Sequence, residues 1–381
     1  MKIVAVNPWV DYRGAESVMV NLSYHLSKAG NHTDILTVYV DDKYPPSYYQ
    51  KIKIHTSGRF ISAISQKSLL LYSFLGMPTM LLKLIWLIRR YDLVLCFNPP
   101  SLILSFIPAR LFGKKIFWFC QSLPYITGWK SKKSFLEYIA SVINNSYLDR
   151  LVVSKVDGII TVSELTKRQL EKKYAATVHI VRPGYPKPKG RASDLPVSIK
   201  KMRLENNLLL LQVGNLHWQK RQALSIKALS RLIQSGISAG LIIVGVGSDR
   251  KKLEKLGKKY RVDNHVAFMG FVPPRKLKGY YQTADLNLLP SVNESFSATP
   301  LEALSAGTPS VISNSSGVGE IIRDYALVCR PNTASLFNKI IEYNRNKSFF
   351  NAKAKNGGRY ISRNLSWNRS ANALMKVING S

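Results

Sequence analysis

Glu294 and Glu302 stand with seven residues between them in the stretch 293–307, NESFSATPLEALSAG. Two carboxylates at that spacing can hold neutral hydroxyls, as on a sugar or a ribose, if another group takes the charge of a phosphate. The residues between them supply one. Residues 300–306 read as a helix closed by Gly307, with Thr299 as N-cap and Pro300 at the first helical position. Ser295 to Ala298 then present unpaired backbone N–H groups at the positive end of a helix dipole, a place suited to an anion. A second reading stays open: Thr299 and Glu302 also fit a capping box, in which Glu302 returns to the Thr299 backbone N–H and has no ligand.

These residues need a scaffold, and the flanking pattern provides it. Residues 285–290 (DLNLLP) read as a buried strand, so the local order is strand, loop, helix. Residues 208–213 (LLLLQV) are a second buried strand, followed by a tight turn at Gly214 and an amphipathic helix over 221–234. Lys220 lies at that helix start, where the dipole disfavours a cation; a lysine facing only solvent is the less natural occupant. Residues 241–247 (LIIVGVG) and 265–271 (HVAFMGF) are further strands, with helices over 249–259 and from Pro273 to Gln282. In the first half, residues 3–6, 92–97 (DLVLCF) and 115–120 (KIFWFC) read as strands. Arg13 to Glu16 open a helix running to Ala29, with Gly30 as its stop. Strands alternating with helices at this spacing imply an α/β fold with parallel, doubly wound sheets. At 381 residues the chain exceeds one core, so two domains are expected, with a hinge over 183–196 and a last helix over 362–379.

The stretch ESFSATPLEALSAGTPSVIS resembles E-G-F-G-x-x-x-x-E-A-x-A-x-G-x-P-V-I, the signature of the retaining GT-B glycosyltransferases of family GT4, with Glu294, Phe296, Glu302, Ala303, Gly307 and Pro309 in register. The family's G-R-x-x-x-x-K-G turn, whose Arg and Lys grip the donor diphosphate, corresponds to Gly214 through Arg221; Lys220 matches the Lys, Asn215 replaces the Arg and Arg221 the second Gly. Residues 13–16 (RGAE) are similar to G-G-A-E, with Gly14 matching and Arg13 departing. Ser163 to Thr166 resemble N-S-E-x-T, residues 181–185 the interdomain P-G segment, and residues 317–322 the G-G-x-x-E-x-I segment. Many relatives carry a His beside the transferred sugar where this chain has Gln121.

The resemblance implies a GT-B fold of two Rossmann-like domains facing a central cleft. Residues 1–184 form the acceptor-side domain, 185–361 the nucleotide-sugar domain, and 362–381 a helix crossing back to the first. It implies a donor site of Gly14, Asn215, Lys220, Arg221, Phe271, Val272, Glu294, Phe296, Ser297, Ala298 and Glu302. Within it Lys220 and Glu294 carry the catalysis, Glu302 holds the ribose, and Gln121 lies on the acceptor or sugar side. The implied reaction moves a hexose-type sugar from a nucleoside diphosphate sugar to an acceptor, with retention at the anomeric carbon and no cofactor. No D-x-D occurs, so no metal is expected. Asn215 and Gln121 keep an alternative in view: a GT-B scaffold that has lost catalysis and serves as a regulatory subunit.

Charge is the strongest departure from an ordinary enzyme. Fifty-five Lys and Arg against 22 Asp and Glu give a formal net charge of +33, which calls for a polyanionic partner. Both halves are basic, and no recognition-helix, zinc-finger or RNP-type pattern supports base reading, so no specific nucleic-acid partner is expected. An anionic membrane surface fits better. Residues 68–88 (SLLLYSFLGMPTMLLKLIWLI) are long and apolar enough to raise a transmembrane helix, but Pro78 and Lys83 interrupt them. The favoured reading is a helix over 80–90 before the strand at Asp92, with 68–76 a separate apolar segment and the exposed aromatics dipping into headgroups. The three cysteines, Cys96, Cys120 and Cys329, form no CxxC and indicate a reducing compartment. With no signal peptide read at Met1-Lys2, the expected location is cytoplasmic, peripheral at the inner face of the cell membrane. The acceptor expected there is a lipid-linked glycan, in assembly of cell-surface polysaccharide or glycoprotein glycans.

Overall fold

A computed structural model describes residues 1–10, 14–40, 51–57, 76–121, 149–185 and 195–380. Two compact units emerge: Met1–Gly184 with Leu365–Ser381, and Tyr185–Asn364.

The first unit is built on a seven-stranded sheet in the order β5-β3-β1-β6-β7-β8-β9. Its strands are β1 (Lys2–Val6), β3 (His32–Thr37), β5 (Ile54–Thr56), β6 (Leu93–Cys96), β7 (Lys115–Cys120), β8 (Gly158–Thr161) and β9 (Val178–Ile180); β2 (Trp9–Val10) and β4 (Tyr39–Val40) pair separately. Every pairing is parallel. Central strands such as LVLC and KIFWFC are buried nearly throughout, because helices cover both faces and leave no polar side to alternate with.

The Pro99–Leu111 helix starts where Asn98 accepts from the Ser101 backbone N–H at 3.0 Å. The segment expected as a helix over 80–90 is helical from Met77 to Leu87, followed by a 3-10 turn Ile88–Arg90. Pro78 sits in its first turn, where a missing N–H costs nothing. Residues 68–75, like Arg13 and most of the expected hinge, lie outside the described residues. Among the described residues no helix is long and apolar enough to cross a membrane.

The expected final helix is corrected. Ser362 belongs to the preceding helix Lys347–Asn364, and a new helix, Trp367–Asn379, begins at Ser366, whose hydroxyl accepts from the Arg369 N–H at 3.3 Å. That helix belongs to the first unit, where Ser370 donates to the Arg182 carbonyl at 2.7 Å. Gly184 is needed there: a Cβ on it would lie 2.3 Å from the Trp367 nitrogen.

Asp34, on β3, ties that strand to β5 and to Tyr91, which follows the Ile88–Arg90 turn. It accepts from Tyr91 Oη at 2.5 Å and pairs with His55 Nε2 at 3.2 Å, and its other oxygen accepts from the Lys53 N–H at 3.3 Å. Burial works to raise its pKa, but the hydrogen bonds from His55 and Tyr91 and the His32 and His55 charges prevail and hold it at about 2. An aspartate depressed below its ordinary value of 3.8 contributes stability that is complete above that value and is lost as pH falls toward 2. Thermal denaturation should therefore show Tm falling between about pH 4 and pH 2. Asp34→Asn should flatten that limb and cost about 1–3 kcal/mol at neutral pH; an unchanged acid limb would exclude Asp34 as its source.

The second unit holds a six-stranded parallel sheet in the order β12-β11-β10-β13-β14-β15. The strands are β10 (Leu208–Val213), β11 (Ala239–Val244), β12 (Val266–Gly270), β13 (Leu286–Leu289), β14 (Ser310–Ser313) and β15 (Leu327–Cys329). Chain order runs outward from β10 through β11 to β12, then returns to β13 on the other side of β10. Such a reversal opens a crevice outside the carboxyl ends of the two central strands, the usual ligand position in an open α/β sheet.

Candidate functional site

The loops leaving β10 and β13 carry the residues singled out in the sequence. β10 runs through Gly214 into the 3-10 turn Trp218–Lys220, and then into the helix Gln222–Gln234. The expected helix start at Arg221 moves by one residue, because Arg221 adopts a left-handed conformation, φ 54°. This is where the family pattern has glycine. The backbone shape survives without the residue that adopts it freely, at a strain of roughly 1 kcal/mol.

Two buried glutamines pin the turn. Gln212, the lone polar residue of β10, donates to the Lys220 carbonyl at 2.7 Å and accepts from Ser225 Oγ at 2.7 Å. Gln222 donates to the Asn215 carbonyl at 2.9 Å. Neighbouring strand ends close on one another: Gly245 has φ 140°, and a Cβ there would lie 2.0 Å from the Gly214 oxygen. The turn also meets the glutamate loop directly, since the Val292 N–H donates to the Gln219 carbonyl at 2.9 Å.

Lys220 Nζ forms an ion pair with Glu294 Oε2, the two side chains being 23% and 14% exposed. Glu294 is held by its main chain: its N–H donates to the Ser315 carbonyl at 3.2 Å, and its carbonyl accepts from the Gly317 N–H at 2.8 Å. Asn293 before it takes φ 52°, a conformation asparagine tolerates better than most residues.

Glu302 settles the choice between ligand residue and cap on one side only. The helix begins at Thr299 with Ala298 as N-cap, no side chain caps it, and Gly307 ends it at φ 88°. Thr299 is therefore not the N-cap, and the capping box is not formed. The Thr299 hydroxyl lies 3.3 Å from Ser297 Oγ, and Glu302 Oε2 instead accepts from Tyr281 Oη at 2.6 Å. Burial raises the Glu302 pKa, opposed by that hydrogen bond. The fully buried Tyr281 hydroxyl is pushed well above its ordinary value by burial and by the Glu302 charge, and Tyr185 is shifted the same way.

The remaining expected residues fall into three places. Phe296, Ser297 and Ala298 lie between Glu294 and the Thr299–Ala306 helix, with Ser297 buried and Ala298 exposed. Phe271 and Val272 follow β12, Phe271 half exposed, before the helix Pro274–Thr283. Gly14 and Gln121 belong to the first unit: Gly14 opens the helix Gly14–Lys28 with open space around it, and Gln121 follows β7. Asn215 contributes its carbonyl to Gln222 rather than a charge. Among the described residues no three His, Cys, Asp or Glu side chains converge as metal ligands would.

Sequence reasoning missed Gln212, Gln222 and Tyr281. Gln212 had a signal, as one amide in an otherwise apolar strand; Tyr281 had none.

Arg221→Gly isolates the charge of that side chain. It relieves the left-handed strain but gives the unfolded chain a similar amount of freedom, so Tm should hold within a few degrees. If the guanidinium serves an anionic substrate, kcat/KM should drop about tenfold or more, the scale of one charge-assisted bond. Activity equal to the parent's would leave the anion to Lys220 and the helix.

Residues 197–359 match the family model described as "Glycosyl transferases group 1", and residues 12–187 match "Glycosyltransferase Family 4". Among curated relatives, an uncharacterized glycosyltransferase of Methanocaldococcus jannaschii is 39% identical over 119 residues, 31% of this chain and 30% of the relative. A GDP-mannose-dependent alpha-(1-6)-phosphatidylinositol dimannoside mannosyltransferase of Mycobacterium tuberculosis is 36% identical over 126 residues, 33% of this chain and 32% of the relative. These matches span about a third of the relatives' length. Among solved structures, HepE of Anabaena, in complex with UDP and glucose, aligns over all of both chains with a TM-score of 0.75 at 16% identity, a likeness of fold.

Proposed function

From the premise that the chain belongs to the group 1, family 4 glycosyltransferases of GT-B fold, we propose that it transfers a hexose-type sugar from a nucleoside diphosphate sugar to an acceptor, with retention and without a metal. The observation that carries this reading is the Lys220–Glu294 pair at the point where the strand order of the second sheet reverses. Relatives that use GDP-mannose or bind UDP and glucose support a nucleotide-sugar donor here.

The chemistry requires a departing diphosphate to be stabilised while positive charge develops on the sugar ring. Fixed cations and N–H groups aimed at the leaving group meet that need. Lys220 and the N–H groups of residues 296–298 take the diphosphate, and Arg221 supplies the charge that Asn215 lacks. Donor entry parts the ion pair: Lys220 turns to phosphate oxygens and Glu294 to sugar hydroxyls. Glu302 accepts from the ribose in the place of, or beside, Tyr281. Phe271 and Val272 face the base. In this reading Gly14 of the first unit serves the diphosphate, and Gln121 the transferred sugar or acceptor.

The acceptor in this reading is a lipid-linked glycan in cell-surface polysaccharide or glycoprotein glycan assembly, reached from the cytoplasmic side of an anionic membrane. The net charge of +33 supports that surface. The test is incubation with a panel of nucleotide sugars while nucleoside diphosphate release is followed. Release from one donor is expected. Tight donor binding without release, with acceptor extracts present, would favour the non-catalytic scaffold that Asn215 and Gln121 allow.

A further inference from the structure

Three helices of the first unit bury their inner sides in one hydrophobic cluster. Met80, Leu84 and Leu87 come from Met77–Leu87, Leu102 and Ala109 from Pro99–Leu111, and Val152 and Val153 from Asp149–Val153. The same cluster takes Val94 and Cys96 of β6 and Ile116, Trp118 and Cys120 of β7, alternate residues and hence one face of the sheet. The three helices are therefore one layer, and their opposite sides share one outer surface.

That surface is apolar where a soluble layer is usually charged. Leu82, Ile85 and Trp86 are 67%, 40% and 63% exposed, Ile107 and Leu111 65% and 76%, and Leu151 62%. The first three and Arg89 follow the i, i+3, i+4, i+7 spacing of a single helical stripe. Neither 76–91 nor 99–115 contains an acidic residue. Exposed cations border the apolar area: the Arg90 guanidinium lies 4.3 Å from the Trp86 ring centre and that of Arg89 4.9 Å from the Phe112 ring. Arginine stacked on an aromatic ring keeps its charge at the rim while the ring covers apolar surface.

We infer that this outer face of Met77–Arg90, Pro99–Leu111 and Asp149–Val153 is the surface by which the protein docks on an anionic bilayer. Isolated exposed leucines need no explanation, but six large apolar side chains on one layer, five of them on two helices that carry no acidic residue, do. A lipid surface matches both features at once: aromatic and aliphatic side chains enter the headgroup boundary, and arginines meet lipid phosphates. A base-reading or acidic protein partner would use the charge but has no need of the leucines. The inference rests on the membrane part of the proposed function and is independent of its chemistry.

The test uses the full chain and vesicles of equal parts phosphatidylglycerol and phosphatidylcholine. The parent should cosediment with them at low salt and less as salt rises, because the electrostatic share is screened. Leu82→Ser, Trp86→Ser and Leu111→Ser combined should lower the partition coefficient at least tenfold, and Arg89→Glu with Arg90→Glu should do the same while reducing the salt dependence. Both variants should keep the parent's Tm and its nucleoside diphosphate release with a soluble donor. Leu204→Ser, an exposed leucine of the second unit, should change nothing. A parent that ignores vesicles at low salt overturns membrane docking altogether. A parent that binds, with both variants binding equally well, overturns this surface and leaves the membrane reading in place. A parent dimer that the serine substitutions dissociate, with no vesicle binding, would assign the face to a second copy.

Discussion

Lys220→Ala should lower kcat/KM by two or more decades, because removing a cation aimed at a departing diphosphate costs on the order of 3 kcal/mol of transition-state stabilisation. The structure adds a second consequence. Lys220 forms an ion pair with Glu294, so the single substitution also leaves a partly buried carboxylate without its partner. The pair is 14–23% exposed, and a partly solvated pair of this kind is worth about 1 kcal/mol, a loss of a few degrees in Tm. The two effects separate in the double variant. Lys220→Ala with Glu294→Gln should recover the melting temperature and remain inactive. If either variant turns over a working donor within a few-fold of the parent, Lys220 is an ion-pair residue only and the diphosphate is held elsewhere.

Glu302→Gln should raise the donor KM about tenfold while Tm stays level or rises. A glutamine carbonyl still accepts from Tyr281 Oη, now at 2.6 Å from the carboxylate, and the buried charge is gone. Burial raises the Glu302 pKa above the usual carboxylate value, so the ionised form opposes folding and its cost grows as pH rises through that value. Against this, a ribose hydroxyl loses a charge-assisted bond, a difference near 1.4 kcal/mol. Glu302→Ala reports on the other role. It strands the Tyr281 hydroxyl, fully buried, with no acceptor, which should cost about 1–3 kcal/mol. A Gln variant with unchanged donor KM and a large drop in Tm would make Glu302 a structural residue.

Much of the scaffold was legible because it is written locally. A strand buried on both faces shows as an unbroken apolar run, and LLLLQV, DLVLCF and KIFWFC became β10, β6 and β7 within a residue at each end. Helix stops at Gly30 and Gly307 were readable because only a left-handed residue closes them, and both take positive φ. The loops that hold the candidate residues also followed from chain order: one loop after a strand carries Lys220, another carries Glu294.

Caps and pairs were less legible. Thr299-Pro-Leu-Glu302 spells a capping box, yet a tyrosine from the preceding helix takes the carboxylate, because a buried hydroxyl without a partner would cost more than an uncapped helix start. Gln212 could be noticed as a polar residue in an apolar strand, but not that it would hold the Lys220 carbonyl.

By itself, then, the sequence determined the α/β alternation, the strands, the two carboxylates after a buried strand, the cation before a helix and the basic charge. Each is a property of a few neighbouring residues. The tertiary structure alone decided that Lys220 and Glu294, 74 positions apart, meet as an ion pair, that Arg221 keeps a glycine-like turn, that Asp34 joins His55 and Tyr91, and that three separate helices bury their inner sides in one cluster. Those outcomes depend on which strands lie side by side. Strand order is set by the packing of whole crossovers against both faces of a sheet, and no window of local propensity contains it.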